Sequence, residues 1–128
     1  MPRRKKLRPT DGELEILRVL WSRGPSTVRQ VHQELVADKQ TSYNTTLKLL
    51  QIMNEKGTVV RDETQRPQVY RARVPEGKMQ QRLVSDLLQR AFGGSARKLV
   101  AALTATDISP EERAEIRLLL DELGEKQR

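Results

Sequence analysis

Between Ser42 and Val74 the apolar side chains change from a helical spacing to an alternating one, with a glycine at the join. This change of period constrains the fold more than any other feature of the chain. In TSYNTTLKLLQIMNEKG, Leu47, Leu50 and Met53 fall on one helical face, and Leu49 and Ile52 widen it. Ser42 suits the helix start and Gly57 its end. This leaves Tyr43, Asn44, Thr45 and Lys48 pointing outward near the N-terminus; they can donate, accept or stack, and none is negative. After Gly57, Val59 and Val60 open an extended run, and Tyr70, Ala72 and Val74 alternate with Arg71 and Arg73. Glu63 to Pro67 reads as the turn between two strands. A helix with a polar, cationic first turn followed by a basic hairpin suits a duplex: the helix enters the major groove and the hairpin touches the adjacent backbone.

The residues upstream complete this unit. Thr10 and Glu13 have the spacing of a capping box. Leu14, Leu17 and Trp21 share a face of the helix that follows, with Ile16 and Leu20 beside it, and Trp21 is expected in the core. Gly24-Pro25 breaks the chain. Ser26 is expected to cap a second helix, on which Val28, Val31 and Leu35 repeat and which ends near Ala37. A short turn then leads to Ser42. Three short helices and a two-stranded hairpin, in that order, make a winged helix-turn-helix over residues 1–75. Met1 to Arg8 forms a basic arm that either follows a phosphate backbone or minor groove or serves as a solubilising tail.

From Glu76 the character changes, and residues 76–128 read as a helical dimerisation region. Met79, Leu83, Leu87 and Leu88 repeat along an amphipathic helix that runs to Phe92 and stops at Gly93-Gly94. Leu99, Val100 and Leu103 mark a shorter helix. Ser109-Pro110-Glu111-Glu112 is a helix start, followed by Ile116, Leu119, Leu120 and Leu123 on one face. About 50 residues with three apolar stripes and little bulk do not readily bury them alone. Leu83, Leu87, Leu99, Leu103, Ile116, Leu119, Leu120 and Leu123 are therefore the expected contacts with a second copy, the alternative being packing back on the winged helix. The predicted fold is mainly α with a small β-hairpin.

Charge divides the chain at the same place. The formal net charge is +7; residues 1–75 hold 15 Lys/Arg against 8 Asp/Glu, and residues 76–128 hold 9 of each. An excess confined to the expected reading helix and hairpin points to an extended phosphate polymer, double-stranded DNA above all. With no cysteine and a single histidine, His32, thiolate sites and ordinary zinc or copper sites are excluded, and His32 is expected as a surface or partly packed side chain. Neither a glycine-rich phosphate loop nor a nucleophile–base–acid set is present, so no cofactor and no catalytic residue is expected. No apolar run approaches the roughly 20 residues of a membrane span, which places the chain in the cytoplasm. Two readings stand: a sequence-specific repressor acting as a homodimer, and an architectural module that binds nucleic acid without sequence preference.

Along nearly its whole length, from about Thr10 to Leu123, the chain resembles the BlaI/MecI penicillinase-repressor family. The matching stretches are Glu13-Leu14-Glu15-Ile16-Leu17-Arg18-Val19-Leu20-Trp21, Thr27-Val28-Arg29-Gln30-Val31-His32, Tyr43-Asn44-Thr45-Thr46-Leu47 and Glu55-Lys56-Gly57. Phe92-Gly93-Gly94-Ser95, Leu99-Val100 and Ser109-Pro110-Glu111-Glu112 continue the match. The resemblance implies a homodimeric repressor of a dyad-symmetric operator, released when a sensor protease triggers cleavage in the C-terminal region. Carried onto this chain, it makes Tyr43, Asn44, Thr45, Leu47 and Lys48 the DNA-reading positions and Arg61, Arg66 and Arg71 the backbone contacts. The Asn-Phe bond cut in well-known members is replaced here by Val100-Ala101-Ala102-Leu103, and the cysteine motifs of copper-responsive relatives are absent.

Overall fold

The structure is a computed structural model that describes residues 8–36 and 41–126. The basic arm before Arg8 and the turn expected after Ala37 lie outside the described residues. The chain forms two compact units, Met1–Leu83 and Val84–Arg128.

In the first unit, helix α1 (Asp11–Arg23) starts at the capping box read from the sequence. The Glu13 amide donates to Thr10 Oγ1 at 3.2 Å, and the Thr10 amide donates to Glu13 Oε1 at 3.0 Å. Its buried side is made by Glu13, Ile16, Leu17 and Leu20, while Leu14 and Trp21 lie at its margins. Trp21 packs on the core, and its Nε1 donates to the Val74 carbonyl at 2.9 Å. Glu13 is not on a solvated face: it is 3% exposed and pairs with Lys56, whose Nζ lies 2.9 Å from Oε2. That pair joins the start of α1 to the end of the third helix, 43 residues on.

The sequence reading of the next segment needs correcting. Ser26 does not cap the second helix; with Thr27 it makes a two-residue strand, β1 (Ser26–Thr27), and it is fully buried with its Oγ donating to the Gly24 carbonyl at 2.8 Å. The cap of α2 (Val28–Val36) is Thr27, whose Oγ1 accepts from the Gln30 amide while Gln30 Oε1 accepts from the Thr27 amide. A two-residue strand is too short to carry an alternating pattern, so nothing in the sequence announced it.

Helix α3 (Tyr43–Lys56) is bounded as the sequence predicts. Ser42 caps it, and Gly57 closes it at φ +87°, a left-handed conformation that glycine adopts without penalty. Leu50 and Met53 reach the core with Thr46, which is also fully buried, and Leu47 and Leu49 pack beside them. Strands β2 (Val59–Asp62) and β3 (Val69–Ala72) form the hairpin, in register Val59 with Ala72 and Arg61 with Tyr70. β1 adds to the free edge of β3, Ser26 opposite Tyr70, giving a three-stranded antiparallel sheet in the order β1-β3-β2. Tyr70 is buried and Arg71 and Arg73 are exposed, as the alternation requires. Helix α4 (Glu76–Phe92) gives its first turns to this unit: Met79 is buried in the core and Leu83 packs against it.

The second unit holds the rest of α4, then α5 (Ala96–Thr104) and α6 (Pro110–Lys126). Gly93 and Gly94 end α4 with positive φ, and Ser95 and Ser109 hold the amides of Lys98 and Glu112 at 3.1 Å each. The helices are thus well capped, yet none of the described side chains beyond Leu83 is buried. Among the described residues, no helix is long and apolar enough to cross a membrane.

Candidate nucleic-acid interface

The first turn of α3 is held in a defined conformation while its outer side stays in water. Ser42 Oγ accepts from the Thr45 amide at 3.1 Å and shares a 2.8 Å hydrogen bond with the Thr45 hydroxyl. Thr45 therefore presents chiefly its methyl group. Asn44 is exposed, and no hydrogen bond among the described residues engages its side chain, so both its donor and acceptor face outward. Lys48 is exposed one turn later. Tyr43 is 43% exposed, and its ring meets that of His32 edge to face with centroids 5.8 Å apart.

A groove runs between this helix and the hairpin. Tyr43, Leu47 and Gln51, spaced i, i+4 and i+8, line its α3 side; Arg61 and Gln68 line the hairpin side; Thr27 and Arg29 lie at the start of α2. Leu47 is half-buried here and packs partly on the core. Sequence reasoning did not single out Arg29, Gln51 or Gln68. The four-residue spacing from Tyr43 through Leu47 pointed to Gln51, but Gln68 enters only through the return of the hairpin.

The three hairpin arginines are not alike. Arg66 and Arg71 are exposed. Arg61 is less free: its guanidinium donates to Glu63 at 3.0 Å and its side chain is 29% exposed. The Tyr70 hydroxyl beside it, and then Glu63, raise its affinity for the proton above the ordinary value. Its backbone amide donates to Asn54 Oδ1 at 3.1 Å, which ties β2 to α3. The hairpin tip is shaped by Asp62. Its carboxylate accepts from the Thr64 hydroxyl at 2.6 Å, the Thr64 amide at 3.0 Å and the Gln65 side-chain amide at 3.0 Å. These bonds, the Thr64 hydroxyl first, hold the Asp62 carboxyl below the usual carboxylate range.

The residues expected to meet a second copy fall in two places. Leu83 packs on the winged-helix core. Leu87, Leu103, Leu119, Leu120 and Leu123 are 41–64% exposed, and Leu99 and Ile116 are half-buried. Val84, Val100 and Leu118 add to the exposed apolar area without having been expected there.

A sequence model described as "Penicillinase repressor" matches residues 9–122. The chain belongs to the penicillinase repressor family. Relatives in two strains of Mycobacterium tuberculosis, CDC 1551 / Oshkosh and H37Rv, each described as "Transcriptional regulator BlaI", are 29% identical over 120 residues. Those alignments cover 93% of this chain and 87% of the relatives. Among solved structures, a MarR family protein from Bacillus stearothermophilus superposes with a TM-score of 0.52 at 19% identity, over 98% of this chain and 82% of that one. At that identity the likeness concerns the fold, which it marks as winged helix. Family membership and the winged-helix fold support a DNA-binding transcriptional regulator.

Proposed function

We propose that the chain is a cytoplasmic repressor that binds a dyad-symmetric DNA operator as a homodimer. The observation that carries this reading is the groove between α3 and the hairpin, with the free side chain of Asn44 and the Thr45 methyl on the helix beside it. Asn44 has the two groups that pair with adenine, and a threonine methyl suits thymine. Lys48, Arg66 and Arg71 supply phosphate contacts, with Arg61 as a fourth. The reading helix of one winged helix spans only a few base pairs, so a second copy is needed for a long site.

The second copy would be held by the apolar side chains that residues 84–126 leave in water. A segment of this size with no buried side chain has no core of its own, and association gives it one. Two linked winged helices make the second half-site encounter intramolecular, which raises apparent affinity on the order of 10²–10⁴-fold. The two-fold axis then requires half-site centres about one helical turn, roughly 34 Å, or a multiple apart. Release follows from losing that linkage through a cut between Gly93 and Ser109, made by a partner sensor protease. On either side of α5, Gly93-Gly94 and residues 105–107 are exposed and carry none of the side chains expected to meet a second copy, which suits cleavage there.

The test is binding of the full chain to duplexes it selects from a randomised pool, measured beside an unrelated duplex of equal length. Selected duplexes should share an inverted repeat and bind at least about 10³-fold tighter than the unrelated one. Asn44→Ala or Thr45→Ala should cost roughly 1–3 kcal/mol per half-site on the selected duplex and leave the unrelated one nearly unchanged. Arg71→Ala should weaken both together. Equal affinity for selected and unrelated duplexes would instead identify an architectural binder.

A further inference from the structure

We infer that His32 is a positioning residue for operator reading: it sets the orientation of Tyr43 on the first turn of α3. The inference rests on the proposed reading role of that turn and adds to it a residue outside the reading helix. Tyr43 projects from the helix with nearly half its surface in water, and its backbone position alone leaves its rotamer open. The His32 ring, on α2, meets it at an interplanar angle of 80° and a centroid distance of 5.8 Å. That is the edge-to-face arrangement aromatic rings favour.

The histidine is itself fixed from behind. Its Nδ1 lies 3.3 Å from Oγ1 of Thr46, a fully buried side chain on the inner side of the same turn. The Thr46 hydroxyl directs its proton to the Ser42 carbonyl at 3.4 Å, and the same carbonyl accepts from the Thr46 amide at 3.1 Å. The hydroxyl oxygen is thus left as an acceptor for Nδ1 in the His32 tautomer that carries its proton there. One chain of contacts runs from the cap of α3 through Thr46 and His32 to the Tyr43 ring. Its effect is to restrict Tyr43 before DNA arrives, so that less rotamer freedom is lost on binding. His32 touches neither base nor phosphate in this scheme and acts only through Tyr43.

The experiment uses the full chain, a duplex selected from a randomised pool and an unrelated duplex of the same length. His32→Ala should weaken binding to the selected duplex by roughly three- to tenfold, the range expected for one edge-to-face pair, and leave the unrelated duplex within about twofold. Tyr43→Ala should have its own loss, and the double variant should lose no more than Tyr43→Ala alone, because the histidine acts through that ring. His32→Phe, which keeps a ring against Tyr43, should restore most of the affinity. His32→Asn, which keeps a donor for Thr46 but no ring, should not. Additive losses, or rescue by asparagine instead of phenylalanine, would overturn the positioning role while leaving the reading turn intact. An equal loss on both duplexes after His32→Ala would likewise overturn it, as the mark of a general packing role. If Tyr43→Ala leaves the selected duplex bound as before, Tyr43 reads nothing, and the inference fails with that part of the proposed function.

Discussion

Replacing Glu13 by alanine tests the contact that joins the two ends of the helix-turn-helix. The Glu13 carboxylate is 3% exposed and accepts three hydrogen bonds, one from the Thr10 amide and two from Lys56 Nζ at 3.2 and 2.9 Å. Alanine removes the reciprocal half of the capping box, worth about 0.5–1 kcal/mol. It also removes the ion pair. The Lys56 side chain is 28% exposed, so its freed ammonium regains water. The loss should therefore fall below the roughly 3–5 kcal/mol of breaking a fully buried pair, at about 1–2 kcal/mol. Together the two give a destabilisation of about 1.5–3 kcal/mol. For a unit of this size that lowers the thermal midpoint by roughly 6–24 °C.

Trp21 is the chain's only tryptophan and packs on the core of the first unit, so its fluorescence in urea reports that unit's unfolding. Protein concentration is held constant, because any association of the second unit would otherwise shift the transition. The urea midpoint should fall with an unchanged slope. Glu13→Gln keeps the acceptor for Thr10 and should lose about half as much. The pair Glu13→Leu with Lys56→Met should return close to the parent, since an apolar pair of similar volume replaces a partly buried ionic one at little net cost. A Glu13→Ala protein within about 0.5 kcal/mol of the parent would refute the reasoning, because cap and ion pair would then contribute nothing beyond what water supplies.

Leu119→Glu with Leu123→Glu places like charges on both copies of an exposed apolar face; the protein should sediment as a monomer and bind a selected duplex at least about 10²-fold more weakly, with the unrelated duplex much less affected. Gly57→Ala meets no neighbour within 4 Å but forces a side chain into φ +87°, so it should cost about 1 kcal/mol in urea denaturation, through backbone strain alone. The lowered Asp62 carboxyl makes the order of the hairpin tip acid-sensitive: the order is fully present above the usual carboxyl value near 3.8 and is lost as pH falls through the lower folded value. Amide exchange at Thr64 should accelerate over that window relative to its intrinsic rate, and Asp62→Asn should remove the pH dependence.

The parts of this fold legible in the sequence are those whose causes lie within a few residues. Thr10 with Glu13, Ser42 with Thr45 and Ser109 with Glu112 each satisfy a helix amide three positions away, so residue types and spacing were enough. The alternation of Tyr70 with Arg71 was legible for the same reason. One local cause was misplaced, the cap of α2, where Thr27 and Gln30 form the box and Ser26 was expected instead; the rest of what escaped depends on partners far along the chain. Glu13 was legible as half of a capping box but not as the partner of Lys56, which is 43 residues away, and the Trp21 indole finds its acceptor 53 residues on at Val74. Nothing in the sequence marked Thr46 as a core position, yet the close packing of α2 on α3 buries it completely. The candidate site divides in the same way. Asn44, Thr45 and Lys48 followed from helical phase, whereas Arg29 and Gln68 enter the groove only because β1 and the hairpin return bring them there.

The two units also differ in what stabilises them, and this bears on how such a regulator is switched. The first has a continuous core from Ile16 through Leu50 and Tyr70 to Met79, so α3 is held whether or not a second copy is present. The second has correctly capped helices and, among its described residues, no buried side chain. Caps contribute about 1 kcal/mol each and cannot offset the conformational entropy of some forty residues. Under the proposed function, association must therefore both complete the second unit and link the two winged helices. A single cut between Gly93 and Ser109 would separate α6 from α4 and remove part of that shared core, while every atom of the reading surface stayed in place. The affinity lost would be the affinity of linkage, and the basic winged helix left behind would still be drawn to DNA without holding an operator.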